Sequence, residues 1–354
     1  MKYGAPWWLP GGQLQTIWPA LYARRFSGPP PHYRRERWDT PDGDFIDVDF
    51  LQENASVAPA STPAPDPRRP LLVIFHGLEG SSRSHYGEAL AGVARERGWA
   101  CALPHFRGCS GELNRAPRAY HSGDHAEIAW ILQRLRAQHR GPLVAVGVSL
   151  GGNALLHWAA QVGTDAARSV DAVAAVCAPL DLAAGGHAIG RGLNRQIYTR
   201  MFMKTLVPKA LQMLNRHPGL FDREALLAAR DLYAFDNVIT APLHGFKNTE
   251  DYWQRASAKP LLDAICIPAL VLNALNDPFV PAASLPKSAD VGRCVTLWQP
   301  AHGGHVGFAR GVPPGDVRAM PESVAVWLAQ HCAAPPVPLE SAVSATKKAQ
   351  SIHG

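Results

Sequence analysis

Short apolar runs alternate with longer amphipathic segments along most of the chain. Runs of four to six apolar residues between turn residues are typical of strands buried on both faces of a parallel sheet. We therefore expect strands at residues 71–75, 99–103, 143–148, 172–177, 269–273 and 294–298. Residues 45–51 (FIDVDFL) instead alternate apolar and polar positions, which predicts a half-buried antiparallel strand.

Helical periodicity fills the gaps between these runs, at residues 84–97, 123–138, 151–161 and 323–331. An alternating order of strands and helices predicts a doubly wound α/β fold with a mostly parallel sheet. We expect eight strands, with helices on both faces of the sheet.

The alternation stops between about residues 180 and 259, where the chain is helix-biased and has no convincing strand. We interpret this segment as a helical cap inserted into one α/β domain spanning residues 1–332, although ordinary peripheral helices are an alternative. Residues 54–69 are rich in Pro, Ala and Ser, and residues 333–354 begin with AAPPVP. They predict an unstructured loop and a disordered C-terminal tail.

Composition narrows the class of protein. Of 354 residues, 47% are hydrophobic and 18% charged, which suits a large core, and the net charge of +6 is dispersed rather than arranged as a nucleic-acid-binding block. The six cysteines form no CxxC pair, so free thiols are expected.

The N-terminus lacks the apolar core of a signal peptide and no 18-residue apolar run is present, which predicts a cytoplasmic protein. No nucleotide or metal motif appears, so no cofactor and no metal are expected.

The strongest chemical signal is the sequence GVSLGG at residues 147–152, placed between a predicted strand and a predicted helix. A serine on a sharp strand-to-helix turn needs small neighbours two residues before and after it, because larger side chains would collide with the turn. This context predicts that Ser149 is a nucleophile. A glycine-rich turn that only allows close packing of strand and helix is the alternative.

A serine nucleophile needs a base and an acid that orients the base. In this kind of fold they follow in the order Ser, acid, His. Asp277 and His305 each lie just after a predicted strand in that order, and they are our candidates. His302 competes as the base, but Gly303 and Gly304 favour His305. Asp181 competes as the acid because it follows an earlier predicted strand, but Asp277 fits this role better.

Two backbone N–H groups should stabilise the oxyanion of an acyl-transfer reaction. We expect one from Leu150, which follows the nucleophile, and one from Leu78 in the loop after the strand at 71–75. His76, at the start of that loop, is expected to brace it rather than to react.

A second glycine-rich loop follows the strand at 99–103 and reads HFRGCSG. Some polar side chains in and after this loop could line the cleft, although structural bracing is the favoured role for each: Arg107, Asn114, Arg115 and Tyr120. Cys109 has no identifiable activating base, so we assign it no catalytic role.

Several stretches give the chain a family resemblance: PWWLPGGQLQTI, HGLEGSSRSHY, FRGCSGELNRAPRAYHSGD, GVSLGGN, TAPLHGFKNTEDYW, LNALNDPFVP and GGHVGF. Over roughly residues 6–310 it resembles the YheT-like branch of the α/β-hydrolase superfamily, which includes esterases and phospholipases. The resemblance implies the α/β-hydrolase fold, a catalytic triad of Ser149, Asp277 and His305, and hydrolysis of carboxylic esters with short or medium acyl chains.

Three functions remain to be weighed. The leading hypothesis is a serine carboxylesterase that acts on a small-molecule or lipid acyl ester through an acyl-enzyme. The alternative is a (lyso)phospholipase or lipase acting at a membrane surface, motivated by Trp7, Trp8 and Trp18 and by the positive charge. Membrane contact is left open but not expected, and no nucleic acid partner is expected. A non-catalytic binding protein would require a broken triad, whereas all three residue types are present.

Overall fold

One mixed sheet forms the centre of the fold. The computed structural model describes residues 2–52, 66 and 68–332, and within these residues eight strands pair in the order β1-β2-β4-β3-β5-β6-β7-β8. Strands β3 to β8 are mutually parallel, whereas β2 is antiparallel to both β1 and β4. The strands are β1 (Tyr33–Asp39), β2 (Phe45–Leu51), β3 (Leu71–Phe75), β4 (Ala100–Pro104), β5 (Leu143–Val148), β6 (Ala172–Val176), β7 (Ala269–Leu272) and β8 (Val295–Trp298).

Helices cover both faces of this sheet. They are α1 (Gly11–Leu21), α2 (His85–Glu96), α3 (His125–Gln138), α4 (Leu150–Val162), α5 (Leu182–Ile189), α6 (Gly192–Asn194), α7 (Arg200–Arg216), α8 (Arg223–Ala228), α9 (Leu232–Val238), α10 (Thr240–Leu243), α11 (Thr249–Ala256) and α12 (Ala319–Ala329). A π-helical turn, Arg195–Thr199, joins α6 to α7, and short 3₁₀ helices lie at Gly163–Arg168, Lys259–Ala264, Ala282–Ser284 and Ser288–Asp290. Among the described helices, none combines the length and the apolar character needed to cross a membrane.

The core explains why β3 is continuously apolar. Leu71, Val73 and Phe75 pack with α3 and α4 on one face of the sheet, while Leu72 and Ile74 pack with α2 and α12 on the other. Both faces of a parallel strand are thus buried, as its sequence requires. The predicted eight-stranded, mostly parallel α/β fold is confirmed, with differences of one to a few residues at element ends.

Strand β2 is antiparallel as predicted, but the expectation that it is half-buried is wrong. Its polar residues Asp47 and Asp49 are buried, as are Phe45, Ile46 and Val48. Arg37 Nε donates to Asp47 at 2.9 Å and Arg35 Nε to Asp49 at 2.7 Å, both from β1. Because these carboxylates are paired, they can face the loop after β4 instead of solvent.

Strand β1 was not predicted from the sequence. Its residues, YRRERWD, include five charged side chains that are mostly exposed, so no alternating apolar pattern is visible. The strand lies at the end of the sheet order, where charged side chains on an edge are favoured because they discourage pairing with another chain.

Helices α5 to α11 form the helical insertion, residues 180–259, between β6 and β7. Every residue of this insertion is described and none lies in a strand. Its own apolar cluster includes Phe202, Leu206 and Phe235 and contacts Phe279 after β7. The predictions for residues 54–69 and 333–354 fall mostly or entirely outside the described residues.

Candidate active site

Ser149 occupies a sharp turn between β5 and α4. Its backbone has φ +54° and ψ −120°, a conformation that is strained for a residue with a side chain. A Cβ at Gly147 would lie 2.3 Å from the Gly151 carbonyl oxygen, and one at Gly151 would lie 2.5 Å from the His76 carbonyl oxygen. The two glycines are therefore required by close backbone contacts around the turn.

Three side chains from separate loops form a chain of hydrogen bonds at this turn. The Oγ of Ser149 lies 3.0 Å from Nε2 of His305, and Nδ1 of His305 lies 2.9 Å from Oδ2 of Asp277. The Asp277 and His305 side chains are buried. The structure thus brings the three candidate residues into direct contact in the order in which proton transfer would require them.

The Asp277 carboxylate is held in place by its own loop. Its Oδ1 accepts hydrogen bonds from the backbone N–H groups of Phe279, at 2.8 Å, and Val280, at 3.3 Å. The ring of Phe279 stacks on the imidazole of His305 with centroids 4.0 Å apart. The carboxylate and the imidazole are therefore both fixed in orientation.

The two competing candidates lie elsewhere. His302 is exposed at the surface of the loop that carries His305. Asp181 caps the N-terminus of α5, where its side chain accepts from the Ala184 N–H at 3.0 Å. That is an ordinary N-cap role, since the first helical N–H groups have no partner within the helix.

Helix α1 supports the loops of Asp277 and His305, and the sequence reasoning did not foresee this. Oε1 of Gln15 accepts from the Gly303 N–H and from the Asn276 side chain, both at 2.9 Å. Oγ1 of Thr16 accepts from the His305 N–H at 2.8 Å. These three contacts join sequence positions 261 to 289 residues apart.

Close backbone packing explains a glycine of the His305 loop. A Cβ at Gly307 would lie 1.7 Å from the Gln15 carbonyl oxygen. The segments QLQTI and GGHVGF are therefore in direct contact in the fold, although they lie far apart in the sequence.

The candidate oxyanion donors flank Ser149. Leu150 is the first residue of α4, so its N–H has no hydrogen-bond partner within the helix. Leu78 lies in the loop after β3, and a Cβ added to its neighbour Gly77 would be 3.1 Å from the Ser149 Cβ. Among the described residues, no hydrogen bond to the Leu78 N–H is found. Both N–H groups therefore lie beside the serine with donor capacity to spare.

His76 braces this loop, as predicted. Its Nδ1 lies 2.7 Å from the Gly77 carbonyl oxygen, to which it donates, and its Nε2 accepts from the Phe106 N–H at 3.0 Å. Burial lowers the pKa of His76 to about 3, so the ring stays neutral in this tautomer.

Cys177 lies under the His305 loop and was not singled out by its sequence. Its Sγ accepts from the Val306 N–H at 3.3 Å, and it lies within 4.8 Å of the ligand atoms of Asp277 and His305. Burial raises the pKa of the Cys177 thiol far above its usual value. The thiol also donates to the Gly304 carbonyl oxygen at 3.7 Å, so Cys177 is bonded to the backbone of the His305 loop.

The polar residues of the second glycine-rich loop serve mainly as braces. The Arg107 guanidinium donates to Asp44, at 2.9 Å, and to Glu127, at 2.6 Å. The Tyr120 hydroxyl accepts from the Glu79 N–H at 2.8 Å beside the loop of Leu78. Burial raises the pKa of the Cys109 thiol to about 12, which agrees with the absence of a catalytic role.

A cleft opens above Ser149 between the sheet and the helical insertion. It encloses about 1150 Å³ of space together with its open mouth. The insertion side is largely apolar and includes Phe202, Leu206, Ala210 and Met213 of α7. A concave apolar site with a few convergent polar groups is typical of a small-molecule pocket.

Arg107, Asn114 and Tyr120 line this cleft, as the sequence suggested, whereas Arg115 is not among the residues that line it. The carboxylate–ammonium pair of Glu79 and Lys209, at 2.8 Å, is one of the contacts between α7 and the loop of Leu78.

Comparisons with known proteins agree with this geometry. The model of a family described as alpha/beta hydrolase fold matches residues 70–311. The chain is 38% identical to the Escherichia coli (strain K12) protein named "Putative esterase YheT" over 84% of each chain. It is 29% identical to mouse phospholipase ABHD3, covering 81% of this chain and 69% of that one.

Among solved structures, the Pyrococcus furiosus esterase Pf2001 superposes with a TM-score of 0.52 at 14% identity, covering 86% of this chain and 94% of the other. That likeness supports the fold alone. The length of the family match and the 38% identity to the Escherichia coli relative go further: this chain belongs to the α/β-hydrolase fold family, and within it the chain is YheT-like.

Proposed function

We propose that the protein is a serine hydrolase of carboxylic esters, with Ser149, His305 and Asp277 as its catalytic triad. The observation that supports this most is the hydrogen-bond chain from Ser149 Oγ through His305 to Asp277 at the floor of an apolar cleft. The names of two relatives, an esterase and a phospholipase, are compatible with ester hydrolysis.

In the proposed reaction, Ser149 Oγ attacks the ester carbonyl while His305 Nε2 accepts the hydroxyl proton. Asp277 holds the proton on Nδ1, which keeps Nε2 free as the base and stabilises the imidazolium that forms. The N–H groups of Leu78 and Leu150 stabilise the oxyanion. His305 then protonates the leaving alcohol, and a water molecule, activated by the same imidazole, releases the acid from the acyl-enzyme.

We propose that the substrates carry short or medium acyl chains. The α7 residues that line the cleft recur at helical spacing: Phe202, Leu206, Ala210 and Met213. They provide an apolar wall against which an acyl chain can bury its surface. The helical insertion therefore serves as the cap that shapes the acyl site.

A lipid ester taken from a membrane surface is the second candidate substrate. The specific observation in its favour is that apolar side chains dominate the insertion side of the cleft. One relative, mouse ABHD3, is named a phospholipase. The same triad would perform the reaction, so only the source of the ester differs.

The proposal is tested by labelling the purified protein with a fluorophosphonate probe and by measuring hydrolysis of p-nitrophenyl butyrate. We expect one stoichiometric adduct, mapped by peptide mass spectrometry to Ser149, with a parallel loss of activity. An adduct on another residue, or full activity after complete labelling of Ser149, would overturn the proposed nucleophile.

Thr16 is proposed as a positioning residue for His305. Thr16→Val keeps the shape of the side chain but leaves the buried His305 N–H without its acceptor, which costs about 1–3 kcal/mol. A small displacement of the imidazole is expected to lower kcat by about 10- to 100-fold with little change in KM.

Thr16→Ser is the matched control, because it retains the accepting oxygen, and it should keep most of the activity. Measuring kcat and KM separately distinguishes the two variants. Equal activity of the valine and serine variants would contradict this role.

A further inference from the structure

The outer side of the helical run 191–205 carries a surface that the proposed reaction does not use. We name it the basic face; it consists of Arg191, Leu193, Arg195, Arg200, Met201 and Lys204. All six side chains are exposed, and the two apolar ones are strongly so, at 59% for Leu193 and 52% for Met201.

Along the chain, the charged residues on either side of the basic face have one sign. From Leu182 to Phe221 the chain contains six Lys and Arg residues and no Asp or Glu. Two of these cations are engaged elsewhere, since Lys209 pairs with Glu79 and Arg216 donates to backbone carbonyls. Among the described residues, the four cations of the basic face form no ion pair.

The opposite side of the same helical run faces the cleft. Phe202 of this run is buried in the cleft that Ser149 also lines, as are Leu206 and Met213 further along α7. An α-helix with its side chains is about 10–12 Å across. The basic face and the cleft are therefore separated by about one helix diameter.

We propose that the basic face docks the protein on an anionic phospholipid surface. Guanidinium and ammonium groups attract lipid phosphates, while exposed Leu193 and Met201 insert among the upper parts of the acyl chains. Exposed side chains of these two kinds along one helical segment are typical of an interfacial helix. Each Lys or Arg near an anionic leaflet strengthens partitioning by about fivefold.

The charge favours this occupant over a neutral membrane or an apolar protein partner, because an uncompensated cluster of cations disfavours both. The docking itself uses no residue of the Ser149 site and is independent of hydrolysis. Its use in bringing lipid esters close to the cleft rests on the proposed function.

Flotation of the full-length protein with vesicles tests the proposal. Vesicles of phosphatidylcholine alone are compared with vesicles containing about one-third phosphatidylglycerol, at low salt and at high salt. We expect binding to the anionic vesicles only, weakened by salt because screening acts on exposed charges. Arg195→Glu together with Arg200→Glu should lower partitioning by at least about 25-fold.

The matched control reverses two exposed cations outside the basic face, Arg140→Glu with Arg293→Glu, which shortly precede the first residues of β5 and β8. It should change partitioning by less than about threefold, and both double variants should hydrolyse soluble p-nitrophenyl butyrate as the parent does. Equal binding to both vesicle types, equal loss in the control, or tighter binding to duplex DNA than to the anionic vesicles would overturn the proposal.

Discussion

Replacing Ser149 with alanine is expected to lower kcat for p-nitrophenyl butyrate by about 10⁴- to 10⁶-fold. The hydroxyl is the group within 3.0 Å of His305 Nε2, and without it the acyl-enzyme cannot form. The strained φ of +54° remains with alanine, so folding should be unaffected. Steady-state hydrolysis, fluorophosphonate labelling and thermal unfolding together measure the change.

Ser323→Ala on α12 is a matched control for this substitution. It also removes one hydroxyl, at a position far in sequence from the residues that line the cleft. It should retain full activity and full labelling. If the alanine variant at position 149 retained more than about one-hundredth of the parent kcat, Ser149 would not be the nucleophile.

Asp277→Asn is expected to lower kcat by about 10⁴-fold. In the parent, Oδ1 accepts from two backbone N–H groups and Oδ2 faces Nδ1 of His305. The asparagine oxygen should keep the first set of bonds, which turns its NH₂ group towards Nδ1. The imidazole must then carry its proton on Nε2. A protonated Nε2 cannot accept the proton of Ser149.

This prediction concerns kcat and not substrate affinity, so KM should change by less than about threefold. Asp181→Asn is the control, because an asparagine caps a helix about as well as an aspartate does and its activity should match the parent. Retention of a tenth or more of the activity by Asp277→Asn would assign the acid to another residue.

The local features of the site were accessible from the sequence because each depends on a few neighbouring residues. The apolar runs of β3 and β5 predict buried strands, and the glycines around Ser149 follow from sterics within one turn. The order of Ser149, Asp277 and His305 after successive strands led to side chains that the structure places in contact.

Other features depend on contacts between distant residues and could not be derived from local patterns. The charged sequence of β1 has no apolar periodicity, yet its arginines neutralise the buried acids of β2. The alternation of apolar and polar residues in β2 therefore predicted exposed aspartates, whereas in the structure these aspartates are buried in ion pairs. Gln15 likewise gives no sign in its own sequence that its side chain supports the loops near Asp277 and His305.

The hydrogen bond from the His305 N–H to Thr16 has a consequence for biosynthesis. Its two partners are 289 residues apart, and chains are synthesised at about 5–20 residues per second. Helix α1 thus leaves the ribosome about 15–60 s before the loop that it supports exists. Until then Thr16 Oγ1 lacks the N–H group that it accepts from, and the contacts among Ser149, His305 and Asp277 can form only after residue 305 has been synthesised.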